Sequence, residues 1–232
     1  MKSLWCGAIL AVAAALSGCG SLIKAPVSRD ELAKINNVGV AAVFDDQFHG
    51  RHVGWTVFGN EKFDMDVSQW EVSKLAQTRA IEALQQGNPK LHVQAVQVPQ
   101  LDALRADRAL DWLSAAQRQG LDTVVLLRPS VSDNFPFFAP GVGLFSSRSN
   151  TTCIYTAYVV EVYDVAARKQ IAWEWGATPP CSTASGDPGF DFKSDASQYS
   201  DADKEAMRKL VDAKFVRTLP VALQDVHLIE AK

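Results

Sequence analysis

The side chains best suited to chemistry lie between Asp45 and His52, in the pattern Asp-Asp-x-x-His-x-x-His. Imidazole nitrogens and carboxylate oxygens can bind zinc, and a loop could fold Asp45, Asp46, His49 and His52 inward. No further ligand stands out elsewhere in the sequence, and Asp and Gly are also ordinary turn residues between strands. We therefore expect no metal site here, and keep a metal-binding protein or a hydrolase using these four residues as the alternative.

Other enzyme signatures are missing from the sequence. No Gly-x-Ser-x-Gly motif is present, so the nucleophile turn of that hydrolase class is absent. Gly141 and Gly143 form a Gly-x-Gly pair, but no helix pattern follows them, as a dinucleotide site would need. His92 and His227 stand alone. We expect a non-catalytic protein without a cofactor.

An aromatic segment between residues 133 and 150 is the strongest indication of a binding surface. Proline and glycine interrupt it, so we expect a loop between sheet elements. It either folds over the sheet as part of the core or presents an exposed patch to a partner. We expect a split, with Phe135 and Phe145 packed and Phe137 and Phe138 at the tip. The candidate partner-binding residues are Phe135, Phe137, Phe138, Leu144 and Phe145.

The first nineteen residues have the pattern of an export signal. Lys2 is followed by an apolar run from Leu4 to Leu16, which is too short to span a bilayer as a mature helix. The next residues complete Leu16-Ser17-Gly18-Cys19, which resembles the bacterial lipobox. That resemblance implies cleavage after residue 18 and a lipid attached to Cys19. An ordinary secretory signal is the alternative.

The expected location follows from this resemblance. Gly20 and not Asp follows Cys19, which by similarity to Gram-negative lipoproteins favours the outer membrane, with the domain on the periplasmic face. The formal net charge of −3 offers no basic surplus for nucleic acid. We expect the membrane to be contacted through the lipid on Cys19.

Four cysteines are present, and two of them belong to the export segment. The remaining pair, Cys153 and Cys181, would meet an oxidising compartment, where a disulfide is the default. Neither belongs to a Cys-x-x-Cys motif. We therefore predict a bond between Cys153 and Cys181.

Hydrophobic patterning predicts alternating strands and helices up to residue 127. Strands are expected at 38–44, 52–58, 91–98 and 121–127. One amphipathic helix should start with Ser68 and Glu71 as a capping box and stop at Gly87, and a second should cover 103–119. This order predicts an α/β layer with partly parallel pairing.

The last third is predicted to be an antiparallel hairpin followed by a helix. Strands at 156–164 and 170–176 should pair so that Val162 faces Ile171 and Val160 faces Trp173. Ser200 should cap the final helix, and Pro220 should end or kink it.

This arrangement resembles the periplasmic α/β domain of the CsgG, LpoB and TolB N-terminal group. The resemblance covers roughly residues 35–225 and consists of the order of elements. No hairpin is long enough for a CsgG-type pore, so pore formation is not implied. We expect a signal peptide at 1–18, a lipidated tether at 19–34 and one domain at 35–232. Its class is α/β, with α+β as the alternative, built as a mixed sheet in two or three layers.

The function that these patterns favour is binding or assembly. We expect an accessory factor that docks onto an envelope protein or machine. A structural subunit of a homo-oligomeric assembly is a further alternative.

Overall fold

A computed structural model describes residues 26–96, 109–131, 137–147, 152–176 and 190–230 of the 232-residue chain. Within these ranges, the chain forms four helices and eight strands, with 3₁₀ turns at Val57–Gly59, Ser68–Trp70 and Ala196–Gln198. The elements are α1 Arg29–Leu32, β1 Asn37–Ala42, β2 Gln47–Val53, β3 Glu61–Asp66, α2 Val72–Gly87, β4 His92–Ala95, α3 Ala109–Arg118, β5 Thr123–Pro129, β6 Gly141–Ser147, β7 Thr152–Asp164, β8 Lys169–Trp175 and α4 Asp201–Asp225.

The eight strands form one mixed sheet in the order β3-β2-β6-β7-β5-β1-β4, with β8 also paired to β7. Three pairs are parallel, β1 with β4, β1 with β5, and β2 with β6. The other pairs are antiparallel. We call the end of the sheet where β7 begins at Thr152 the upper end, and the end where it stops at Asp164 the lower end.

Helices cover both faces of the sheet around β1 and β5. On one face α2 and α4 enclose the larger core, in which Leu84, Phe215 and Leu219 are fully buried. On the other face α3 buries Trp112 and Leu113 in a second cluster against β5. This is a three-layer arrangement, and it confirms the α/β class.

The central strand β7 is buried along most of its thirteen residues. Its sequence is rich in β-branched and aromatic residues, which pack well on a pleated surface covered on both faces. Residues 152–157 pair with β6 and residues 158–164 pair with β5. The strand therefore joins the two halves of the sheet.

The predicted β7–β8 hairpin exists, but its register was wrong beyond the first pair. Asp164 does face Lys169. A bulge between Val162 and Tyr163 then shifts the pairing by one residue, so Val162 faces Ala172 and Glu161 faces Trp173. A bulge sends the side chains that follow it to the opposite face. Trp173 therefore lies on the same face as Glu161.

One helix start differs from the expected one, and of the two outcomes expected at Pro220, an end or a kink, the structure excludes the end. Ser68 lies in a 3₁₀ turn, and Glu71 adopts a left-handed conformation with φ of 48°, so the predicted capping box at α2 was wrong. Ser200 does cap α4, in a capping box with Asp203. Pro220 does not end α4, which continues to Asp225.

Two loop and strand predictions were also wrong. The strand expected at 52–58 ends at Val53, and β2 and β3 form a hairpin around the residues that follow. The segment expected to lack regular structure contains β6, which pairs with β7 and β2. Gly143 is compatible with this strand because a side chain there would collide with the His49 carbonyl and the Tyr155 ring. A glycine inside a strand often marks such a close approach.

The packed domain begins before residue 35. The Val27 side chain is 1% exposed, and its amide donates to the Val226 carbonyl at 3.2 Å. This contact lies near the carboxyl end of α4, at the lower end of the sheet. Over the part of the chain that is described, no helix is long and apolar enough to cross a membrane.

The core of this fold gives a first prediction. Phe215 is fully buried against Phe44 and Tyr158, with ring centroids 5.5 and 5.4 Å away. Phe215→Ala should therefore lower the free energy of unfolding by about 3–5 kcal/mol. The neighbouring Val216→Ala is the matched control, since Val216 is 52% exposed, and should change it by less than about 0.5 kcal/mol. Urea unfolding monitored by circular dichroism measures both, and equal losses would contradict this packing.

Candidate interaction surface

The loop between β2 and β3 exposes more large apolar surface than any other described segment. Trp55 is 79% exposed, Val57 77% and Phe58 97%. Single exposed apolar residues are common on proteins, whereas three in four positions make a patch typical of interaction sites. We call residues 54–60 the hairpin tip.

The hairpin tip has a defined shape. The Gly54 amide donates to the Asn60 side-chain oxygen at 3.0 Å, and the Gly59 amide donates to the Thr56 carbonyl at 2.9 Å. A Cβ atom on Gly54 would lie 2.5 Å from the Gly59 carbonyl oxygen, so only glycine allows the two arms to approach this closely. The exposed side chains are thus held on a closed turn.

Polar side chains brace the hairpin on one face. The Arg51 guanidinium donates to the Phe63 carbonyl at 3.1 Å and to Asp64 Oδ1 at 3.0 Å. His49 Nδ1 lies 2.7 Å from the same Asp64 oxygen, and His49 Nε2 lies 3.7 Å from Asp45 Oδ2. Arg51 and His49 on β2 therefore contact β3 directly. We call Asp45, His49, Arg51 and Asp64 the brace.

These contacts set the ionisation of the brace. Burial opposes the charged form of His49, but hydrogen bonds and attraction from Asp45 and Asp64 outweigh it and raise the pKa of His49. Burial likewise opposes ionisation of Asp64, but hydrogen bonds from His49 and Arg51 outweigh it and lower the pKa of that carboxyl. The contacts between His49, Asp64 and Arg51 therefore favour the charged forms of His49 and Asp64.

Aromatic rings hold the opposite face of the hairpin against the domain. The Phe63 ring lies 5.6 Å from Phe192 and 5.4 Å from Tyr199, centroid to centroid. The His52 ring lies 5.3 Å from Phe192. Pairs at these separations contribute roughly 0.5–1.5 kcal/mol each beyond their buried area. The hairpin is therefore fixed on both faces, and its tip extends from the upper end of the sheet.

The four residues of the alternative metal-binding hypothesis are not brought together as a ligand set. His49 and His52 are three residues apart on β2, so their side chains leave opposite faces of the strand. His49 contacts Asp45 and Asp64, whereas His52 Nδ1 lies 3.2 Å from the Ser146 hydroxyl. In the described ranges, no three His, Cys, Asp or Glu side chains are grouped so that they could hold a metal ion.

The aromatic segment is divided between core and surface. Leu144 is fully buried, so it offers nothing to a partner. Phe138 stacks on Phe145 with a centroid separation of 4.5 Å and meets Tyr155 edge-on at 4.8 Å. Phe137 is 54% exposed. The expected exposed pair therefore reduces to Phe137, and Phe135 lies outside the described residues.

The cysteine predictions remain open. Cys153 is 4% exposed within β7, where it faces Phe145 of β6. Its predicted partner, Cys181, and the predicted lipidation site, Cys19, both lie outside the described residues. The disulfide and the lipid anchor stay predictions.

The pattern of residues 52–58 predicts a strand, and this prediction does not reveal the hairpin tip. The stronger signal was the alternation of residues 61–66, Glu-Lys-Phe-Asp-Met-Asp, which is typical of a half-buried strand. Together with Gly54, Gly59 and Asn60 as turn residues, it indicates a hairpin whose loop contains the aromatic residues.

The charged brace gives a pH prediction. A raised pKa means that the His49 contribution is complete below about pH 6.5 and is lost as the pH rises through the folded-state pKa. The lowered pKa of Asp64 means that its contribution disappears only in acid. The stability difference between wild type and His49→Gln should therefore be largest near pH 5–6, at up to about 1 kcal/mol, because Asp64 is half-exposed.

Urea unfolding at several pH values measures this difference. The exposed Gln86 provides a control without a titrating group through Gln86→Asn, for which the difference should stay constant with pH. A difference for His49→Gln that is flat from pH 5 to pH 9 would contradict the brace.

The divided aromatic segment gives a stability prediction. Phe138→Ser removes the ring contacts with Phe145 and Tyr155 and should lower the free energy of unfolding by about 1–3 kcal/mol. This loss is smaller than that for a fully buried Phe, because Phe138 is only partly buried. Phe137→Ser should cost less than about 0.5 kcal/mol. Thermal unfolding of the two single variants measures both effects. A larger loss of stability for Phe137→Ser than for Phe138→Ser would contradict the packing described for these two rings.

Comparisons with known proteins show no family for this chain. No family model matches it, and no curated protein matches it. Among solved structures, the dodecamer of a single-residue PelC variant from Paraburkholderia phytofirmans is similar with a TM-score of 0.37 and 10% sequence identity, covering 88% of this chain and 93% of that one.

Proposed function

We propose that this chain is a non-catalytic binding or assembly protein of the bacterial envelope, anchored through Cys19 on the periplasmic face of the outer membrane. The observation that carries the binding role is the hairpin tip, where Trp55, Val57 and Phe58 are exposed on a braced turn. The lipobox resemblance supports the anchor.

Exposure of aromatic side chains to water is unfavourable in free energy, and the gain from burying them is the physical basis of the proposed binding role. Burying the side chains of Trp55 and Phe58 removes a large apolar area from water, and aromatic residues dominate interface energies. Because the tip is already closed by its own hydrogen bonds, little conformational entropy is lost when it docks. A rigid apolar projection is well suited to a pocket or groove on another protein.

The position of the tip favours a protein over the anchoring membrane as its partner. The chain enters the fold at Val27, at the lower end of the sheet, whereas the tip extends from the upper end. At about 3.3 Å per residue, the thirteen residues of β7 separate the two ends by roughly 40 Å. In an anchored molecule, the tip and the point where the tether enters the fold therefore lie at opposite ends of the domain.

A photoreactive phenylalanine analogue at position 58 in living cells tests this proposal. We expect a protein adduct from position 58 and none from position 86, an exposed control site on α2. The pair Trp55→Ser and Phe58→Ser should weaken the captured association at least tenfold while changing the free energy of unfolding by less than about 0.5 kcal/mol. Failure of position 58 to yield a protein adduct above the position-86 level would refute the proposal.

A further inference from the structure

A second exposed apolar surface lies on the outer side of α4. Val216 is 52% exposed and Val221 is 56% exposed, while Phe215 and Leu219 on the inner side are fully buried. Arg217 is exposed between the two valines. We call the outward residues between Ala213 and Gln224 the α4 face.

The polar groups of the α4 face are available for contact. Among the described residues, Arg217 makes no hydrogen bond or ion pair, and it is the only exposed charge from Ala213 to Gln224. Pro220 has no N–H, so the Val216 carbonyl four residues earlier lacks its helical donor. The face thus combines apolar side chains with one unengaged cation and one carbonyl that can accept a further hydrogen bond.

The hairpin tip is chemically complementary to the α4 face. Residues 54–60 carry no charge and present two aromatic side chains. A guanidinium over an aromatic face is attracted by the ring quadrupole, the more so as the contact loses water. Valine side chains flanking Arg217 can cover the rest of the aromatic surface. Trp55 and Phe58 therefore match Val216, Arg217 and Val221 in both apolarity and charge.

One molecule cannot bring these two surfaces together. Thr218 of α4 hydrogen-bonds to the Tyr158 hydroxyl at 2.7 Å, which places the α4 face level with the middle of β7. Tyr158 is six residues from the upper end of β7, about 20 Å, and the tip projects beyond that end. Both surfaces are also held rigidly, by the brace and by the buried side of α4.

Resting on the proposed binding role, we propose that the occupant of the tip is a second copy of this chain, with the tip of one copy docked on the α4 face of the next. Because the two surfaces differ, the contact is heterologous, and a pair of copies keeps one unused tip and one unused α4 face. Further copies can therefore add to the pair. The rotation between successive copies decides whether the assembly closes into a ring or grows as an open chain.

The full chain purified in mild detergent allows a direct test by analytical ultracentrifugation. The wild type should form species larger than a dimer. A tip variant carrying Trp55→Ser and Phe58→Ser and an α4 variant carrying Val221→Glu should each be monomeric at the same concentration. Gln86→Glu, the charge-matched control on the exposed side of α2, should assemble like the wild type.

Mixing the two defective variants distinguishes a head-to-tail contact from a symmetric one. Each variant keeps one intact surface, so an equimolar mixture should form a dimer and nothing larger. A mixture that stays monomeric, or a wild type that is monomeric, overturns the proposal. Circular dichroism should show unchanged melting temperatures for both variants; if one is unfolded, Arg217→Ser and Phe58→Ser replace the original pair.

The photoreactive residue at position 58 separates this inference from the proposed function. An adduct of twice the chain mass supports the second copy as the partner. An adduct with a different protein overturns this inference and leaves the binding role intact. No protein adduct overturns both.

Discussion

The sheet depends on one strand that carries hydrogen bonds to three neighbours. β7 pairs with β6 through its first half, and with β5 and β8 through its second half. Each of those pairings satisfies backbone groups that would be costly to bury without partners. Since residues on both faces of β7 are also buried, neither half of the sheet can shift along it without disturbing a core. The position of the hairpin tip is set through β6 and β2, and that of α4 through the packing on Tyr158.

Polar contacts have a different role from the apolar core. The bidentate contact from Arg128 to Glu161 lies on β5 and β7, where the Glu161 side chain is almost fully buried. The hydrogen bonds that Arg128 donates to Glu161 raise the pKa of Arg128, although burial opposes it. Removing one member of such a pair leaves an uncompensated charge, so the contact disfavours any other register between the two strands.

The sequence contained the information for elements whose signals are local. The apolar run in β1, the glycine that ends α2 and the Ser200 cap of α4 each act within a few residues, and each prediction was confirmed. Contacts between residues that are distant in sequence could not be predicted from such local signals. Nothing near Ile171 indicates the bulge in the β7–β8 pairing, because its cause is the packing of a whole sheet face. The lost helical donor at Val216 likewise depends on the packing that carries α4 through Pro220. The hairpin that exposes Trp55 and Phe58 differs, because its turn residues and the alternation of β3 are local signals.

The opposed positions of Val27 and the hairpin tip have a mechanical consequence. A tether pulling at one end and a docked partner holding the other would apply force along the direction of β7. Hydrogen bonds in an antiparallel sheet lie across the strands, so such a force shears many of them at once and does not open them one after another. β7 shares its bonds with three strands, which spreads the load over both halves of the domain. With the anchor and the docked partner proposed above, tension between them would pass along β7.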